Sequence, residues 1–263
     1  MKTNDRPLTD LMNAVDTGAA QLPDFQRGWV WDDGRIRALI LSVIHNFPVG
    51  AAMFLEYGNE SIHFKHKPIE GSGANPNTEP DELILDGQQR LTSLYNALYS
   101  KNPVHTKTDK GKEIDRYYYL DIEKALDPSA DDEEVVVSIP ASRQVTSDFG
   151  RKIEKDLSTR QDEFRLKMFP LNIILNSSEE QGWQNEYYAY YNYDPAIIRQ
   201  FTDLFSKIIM PTQKYAMPVI LLDKETPKEA VCQVFENVNT GGVSLTVFEL
   251  VTAIFAMDDF PLR

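Results

Sequence analysis

Ile36, Leu39, Ile40, Val43, Ile44 and Phe47 recur at the spacing of one helix face. This pattern predicts a helix with Asp32 or Asp33 as N-cap, closed by Pro48 and Gly50. A shorter helix is predicted over 8–15, ending near Gly18. The stretch 51–57 reads as a strand, and 61–69 alternates like a half-buried strand that would pair with it as a hairpin across Gly58-Asn59. After a loop over 70–81, residues 82–85 form a short buried-strand candidate. It runs into a helix whose apolar face is Leu91, Leu94, Tyr95 and Leu98. Residues 116–122 and 135–139 read as strands around an acidic loop at 127–134.

From about Ser147 the pattern turns helical, with candidate helices at 151–168, 178–191 and 195–209, and a strand at 215–223. Thr226 and Glu229 make a capping box that opens a helix over 227–237. A turn at 239–242 leads to a second box, Thr246 and Glu249, and a helix reaching Met257. Strands gather in the first half and helices in the second, which is an α+β pattern. The expected division is a core over 1–145 and a mainly helical part over 146–263 packed on it. The chain stops at DDFPLR shortly after an apolar helix, as the end of a cloned fragment would.

Charge narrows the function classes. Lys and Arg total 27 against 40 Asp and Glu in 263 residues, a formal net charge of −13. A broad, non-specific DNA coat needs a basic surface that this chain lacks, although a narrow basic cleft remains compatible. The single Cys232 excludes a disulfide framework and suits a reducing cytosol. No apolar run approaches the roughly 18 residues that span a bilayer, and the N-terminus is too polar for a signal peptide.

Three segments carry candidate chemistry. Asp86-Gly87-Gln88-Gln89-Arg90 sits in a strand, tight turn, helix setting. A helix N-terminus offers free N–H groups and a partial positive charge for a phosphate. Arg90 suits bidentate contact with phosphate oxygens, Asp86 suits a divalent metal or a water, and the glutamines suit a base, a sugar or a water. The alternative is a plain turn, with Asp86 as N-cap and Arg90 on the surface. Phe25, Gln26, Arg27, Trp29 and Trp31 form the second segment. They suit stacking and anion contact, or else the rings fill a corner of the core and Arg27 pairs with a carboxylate. The third runs from Phe235 to Leu245, with Asn237 and Asn239 before Gly241-Gly242. It reads as a second polar wall over the same pocket or as a helix connector. His45, His63, His66 and His105 are scattered, and HExxH, GxSxG and P-loop patterns are absent from the sequence.

Together these segments resemble the bacterial domain-of-unknown-function family 262, the N-terminal region of GmrSD-type modification-dependent restriction endonucleases, with SspE-type phosphorothioate sensors among the relatives. The carriers are Leu22-Pro23-Asp24-Phe25-Gln26-Arg27 with Trp31 and the later Phe47-Pro48-Val49-Gly50, the intact DGQQR box at 86–90, and the Phe235 to Leu245 element leading into Glu249-Leu250. The resemblance implies a ParB/sulfiredoxin-like mixed-sheet core whose DGQQR box binds and hydrolyses a nucleoside triphosphate with Mg²⁺. It assigns Asp86, Gln88, Gln89 and Arg90 to catalysis, with Asp86 also on the metal. Gln26, Arg27, Gly87, Asn237 and Asn239 would bind nucleotide, and Phe25 and Trp31 would stack on a base or DNA. In restriction relatives that activity gates an HNH-type nuclease domain, and modified DNA is a further implied partner; self-association stays open. Phe25 stands where the family has Tyr, which removes a hydroxyl. The 263 residues hold no HNH segment, so this chain is not expected to cut DNA by itself.

Overall fold

A computed structural model describes residues 2–58, 64–148, 151–227, 229–231 and 233–234. Its first sheet contains β1 (Lys2–Pro7), β2 (Ala20–Pro23), β3 (Ala52–Glu56), β4 (His66–Lys67), β5 (Glu82–Asp86) and β12 (Ala216–Leu222), in the order β1-β12-β3-β5-β2-β4. Parallel pairs (β12 with β3, β5 with β2) alternate with antiparallel ones, so the sheet is mixed. Alternation along each strand sorts side chains between two apolar clusters. Ala52, Phe54, Ile84, Met217 and Val219 face the main core. Leu55, Leu83, Leu85 and Leu222 face a smaller one with Phe64 and Val231.

Three helices fill the main face. The apolar stripes of α1 (Leu8–Thr17), α2 (Asp33–Ile44) and α3 (Gln88–Leu98) are buried there. Gly18 closes α1 in a left-handed conformation, and the Asp32 side chain caps α2 through the Arg35 N–H at 2.9 Å.

A second sheet is built around β7 (Glu113–Asp121), which pairs with β6 (Val104–Lys107), β8 (Val136–Pro140) and β11 (Met168–Pro170). Here too the period of two decides: Tyr118 and Leu120 enter the main core, while Tyr119 joins Ile139, Leu157 and Met168. Short helices α4 (Ile122–Leu126) and α5 (Asp132–Val135) connect β7 to β8. Beyond them lie the β9 (Gln144–Ser147) and β10 (Lys152–Asp156) hairpin, then α6 (Arg160–Arg165), α7 (Ser177–Tyr190), α8 (Pro195–Leu204) and α9 (Met210–Gln213). The protein is therefore mixed α+β, and among the described residues no helix is long and apolar enough to cross a membrane.

Several sequence expectations are corrected. The hairpin between 51–57 and 61–69 does not form, because β12 and β5 occupy both edges of β3 and β4 pairs with β2. The helix over 151–168 is replaced by β10, α6 and β11. Asp156 bonds the Ser158 hydroxyl and N–H, and Thr159 caps α6 by accepting from the Asp162 N–H. These local side-chain bonds stop a continuous helix. Part of the 127–134 loop is helical, capped by Asp131. Phe47 lies past the end of α2 and is 59% exposed. β1 went unpredicted because its sequence, KTNDRP, lacks apolar alternation; its order comes from pairing with β12. That strand belongs to the second half of the chain yet sits between β1 and β3, and the main core draws on both halves.

Gly71 fixes how the 70–81 loop lies on α3. Its φ is +85°, and an added Cβ would meet Asn96 Oδ1 at 1.9 Å. Asn96 cannot easily yield, since its amide donates to the Glu70 and Thr92 carbonyls at 2.8 Å each. Gly71→Ala is expected to cost about 1–3 kcal/mol in chemical denaturation.

Candidate functional site at the N-terminal end of α3

β5 delivers the chain to Asp86, and Gly87 turns it into α3 with φ 90° and ψ 3°. Glycine suits this turn twice over: the left-handed conformation strains other residues, and a Cβ would stand 3.2 Å from that of Ala52. No side chain caps α3, so the first-turn N–H groups are not satisfied by a cap. Asp86 instead faces Arg90, with Oδ2 3.4 Å from Nη2.

Arg90 is held on a second element. Its Nη1 donates to the Val49 carbonyl at 2.7 Å and its Nη2 to that of Ala51 at 3.0 Å. Gly50, between them, has φ +87°, and a Cβ there would lie 2.6 Å from Nη1. The turn after α2 and the guanidinium therefore shape each other.

The two glutamines of the box bind backbone. Gln88 Nε2 donates to the Arg27 carbonyl at 2.6 Å. Gln89 Nε2 donates to the Gly28 carbonyl at 3.1 Å, and its Oε1 accepts from the Val30 N–H at 2.9 Å. Gln26 is buried and donates to the Ile84 and Leu85 carbonyls at 2.7 and 3.1 Å. Lys67 donates to the Gln26 carbonyl at 2.6 Å, and Glu70 accepts the Trp29 N–H at 3.0 Å. Two segments about 60 residues apart in sequence are thus laid against one helix end.

A profile of the GmrSD restriction endonuclease N-terminal domain matches residues 8–256. The chain belongs to that family. A further similarity is to the uncharacterized protein MJ0686 of Methanocaldococcus jannaschii, 28% identical over 260 residues, covering 94% of this chain and 41% of that protein. The chain thus spans about two fifths of the curated relative it matches.

Within this GmrSD N-terminal domain the predicted residues separate by role. Asp86, Gly87, Gln88, Gln89 and Arg90 come together with Gln26 and Arg27 around the start of α3. The Arg27 side chain is exposed and has no ion pair among the described residues. Phe25 packs edge-on against Phe64, ring centroids 5.1 Å apart, beside the smaller core. Trp31 packs on the main core, and its carbonyl accepts from the Thr106 hydroxyl at 2.8 Å. Asn237 and Asn239 lie outside the described residues. Sequence reasoning took Gly50 as a helix stop and did not foresee that Val49, Gly50 and Ala51 seat Arg90, or that Glu70 and Lys67 brace the loop. The glycine of the 47–50 element was the available signal.

For metal chemistry, no group of three or more His, Cys, Asp or Glu is gathered among the described residues. His66 contacts Gln21, His45 contacts Asp132 and His105 contacts Asp115. Asp86 brings a carboxylate to the end of α3, with Arg90 beside it. That donor set fits Mg²⁺ only in company with ligand phosphate oxygens, the usual mode for this ion.

Proposed function

We propose that this domain binds a nucleoside triphosphate at the start of α3 and hydrolyses it, as the regulatory module of a DNA modification-dependent restriction or phage-defence protein. The observation that carries the reading is the uncapped α3 N-terminus behind a left-handed Gly87, flanked by Asp86 and overlain by the loop bearing Arg27, which is exposed and has no ion pair among the described residues. Phosphates would meet the N–H groups of the first turn, with Arg27 as the exposed cation. Arg90 is a positioning residue here, because its donors to Val49 and Ala51 build the floor. Gln88 and Gln89 hold the loop that carries Arg27. Asp86 orients the attacking water or, with the ligand's phosphates, holds Mg²⁺; that ion would supply charge neutralisation. The reading further takes the sheet and its three helices as a ParB/sulfiredoxin-like core, and assigns an HNH-type nuclease and modified DNA as partners in the full-length protein.

A second reading has its own support. The glutamines and Arg90 are all engaged with backbone, which leaves Asp86, itself beside Arg90, as the one acid the box offers. That suits a sensor that binds nucleotide or modified DNA without turnover and reorients an attached nuclease. Calorimetric titration with ATP and GTP in the presence of Mg²⁺, followed by phosphate-release assays, separates the two. Binding with release supports the enzyme, and binding without release supports the sensor. No heat with either nucleotide removes both nucleotide readings. Arg27→Ala is expected to weaken triphosphate binding about tenfold with an unchanged melting temperature.

A further inference from the structure

Two clefts share a wall at the other end of α3. One, about 390 Å³, is bordered by Asp16, Tyr95, Tyr99 and Asn102. The other, about 270 Å³, is bordered by Arg143, Arg160, Glu163 and Pro170. Lys101, Asn172 and Glu179 line both. We propose that Lys101, Arg143 and Arg160 form a phosphate-ester binding site, separate from the Gly87 turn and occupied by a nucleotide or by a phosphate of a DNA strand.

The argument begins with a buried carboxylate. Glu163 is 3% exposed, and its oxygens accept from the Trp183 indole N–H at 3.0 Å and the Tyr119 hydroxyl at 3.3 Å. Burial pushes its carboxyl up, against the opposing pull of the Trp183 N–H and the two guanidiniums. Neutral donors thus satisfy Glu163, and the guanidiniums stand off at 3.6 Å for Arg160 and 3.7 Å for Arg143. Those distances exceed a hydrogen bond. Charge attraction holds both forks beside the cleft while their N–H donors stay unspent on Glu163.

Other contacts restrain the cations without filling those donors. The Arg143 guanidinium lies 4.7 Å from the Tyr117 ring centroid, and Arg160 Nε is 3.7 Å from Glu186. Lys101 reaches Glu179 at 2.5 Å and the Asn172 carbonyl at 3.3 Å. Three cations therefore border one cleft whose lining carries two carboxylates, Glu163 and Glu179, with Glu186 beside Arg160 as a third acid. On a chain of net charge −13, three cations gathered at one cleft are a focused feature. Planar forks matched to tetrahedral oxyanions favour phosphate.

The adjoining cleft gives the rest of the ligand a place. Tyr95 and Tyr99 stack there at 5.5 Å and 30°, and the Tyr95 hydroxyl donates to Asp16 at 2.6 Å. A sugar or base joined to the bound phosphate would lie along this wall. α3 separates the two sites: Gly87 precedes its first residue, and the cleft uses residues at and after its last turn. At 1.5 Å per residue that is roughly 16 Å.

The test uses two probes, inorganic pyrophosphate by calorimetry and a short fluorescein-labelled single-stranded DNA by anisotropy. Arg143→Gln/Arg160→Gln is expected to weaken at least one probe about tenfold or more. Lys101→Ala, on an exposed side chain, is expected to reduce the salt slope of that binding by about one. The responding probe identifies the source of the phosphate. If the double variant fails to fold, Lys101→Ala decides alone. The proposal is overturned if neither probe binds the parent, or if all variants bind as the parent does. Arg27→Ala measured alongside reports on the Gly87 turn, so failure of either site is visible separately.

Discussion

Asp86→Ala is expected to abolish triphosphate turnover, lowering the rate about 10²–10⁴-fold, while the melting temperature moves by no more than about 2 °C. The two halves of that expectation have different physical origins. Asp86 is 39% exposed at its side chain, and it faces Arg90 at 3.4 Å. A half-exposed pair of that length contributes roughly 0–1 kcal/mol, and Asp86 caps nothing, since Gly87 precedes α3 without a side-chain bond. Catalysis, in contrast, has no substitute acid among the box residues. Asp86→Asn keeps shape and removes charge, so it is expected to fall as far in turnover as alanine. Phosphate release by either variant at the parent rate would sink the catalytic assignment, and loss of folding would sink the claim that Asp86 is structurally idle.

How much of this was legible beforehand depends on the range of the interactions. The stripes of α1, α2 and α3 were readable because their period is local and one face meets one core. The Asp32 cap and the Gly87 turn were readable for the same reason. Pairing was not. Residues 51–57 look like half of a hairpin until β12, from more than 160 residues further on, is known to take one edge of β3. Polar β1 is invisible to periodicity, and 151–168 carries apolar spacing that its Asp, Ser and Thr side chains override. The candidate site divides the same way. Motif reasoning named Asp86, Arg90, Gln26 and Arg27 as candidates, and the structure brings them together at one helix end. It did not foresee that Gln88 and Gln89 hold backbone, because amide side chains advertise no partner in sequence. Three cations at 101, 143 and 160 share no motif, so the second cleft was outside the reach of pattern reading.

Arg90→Ala is expected to be the most destabilising change at the box, about 2–4 kcal/mol, with a fall in melting temperature of roughly 5–10 °C. Its side chain is 19% exposed and spans the carbonyls of Val49 and Ala51, so removal strands two acceptors at once. Arg90→Lys is expected to recover less than half of the loss, because one ammonium does not reproduce a fork across two carbonyls. A double-mutant cycle with Gly50→Ala tests the cause directly. In the parent, alanine at 50 meets both the φ of +87° and a contact of 2.6 Å with Nη1. Without the guanidinium only the backbone strain remains, about 1 kcal/mol. The two substitutions should therefore sum to less than their separate effects by about 1 kcal/mol or more. Strict additivity would mean that Gly50 and Arg90 do not shape each other. The positioning role assigned to Arg90 would then fall, and its guanidinium would return to direct contact with the ligand.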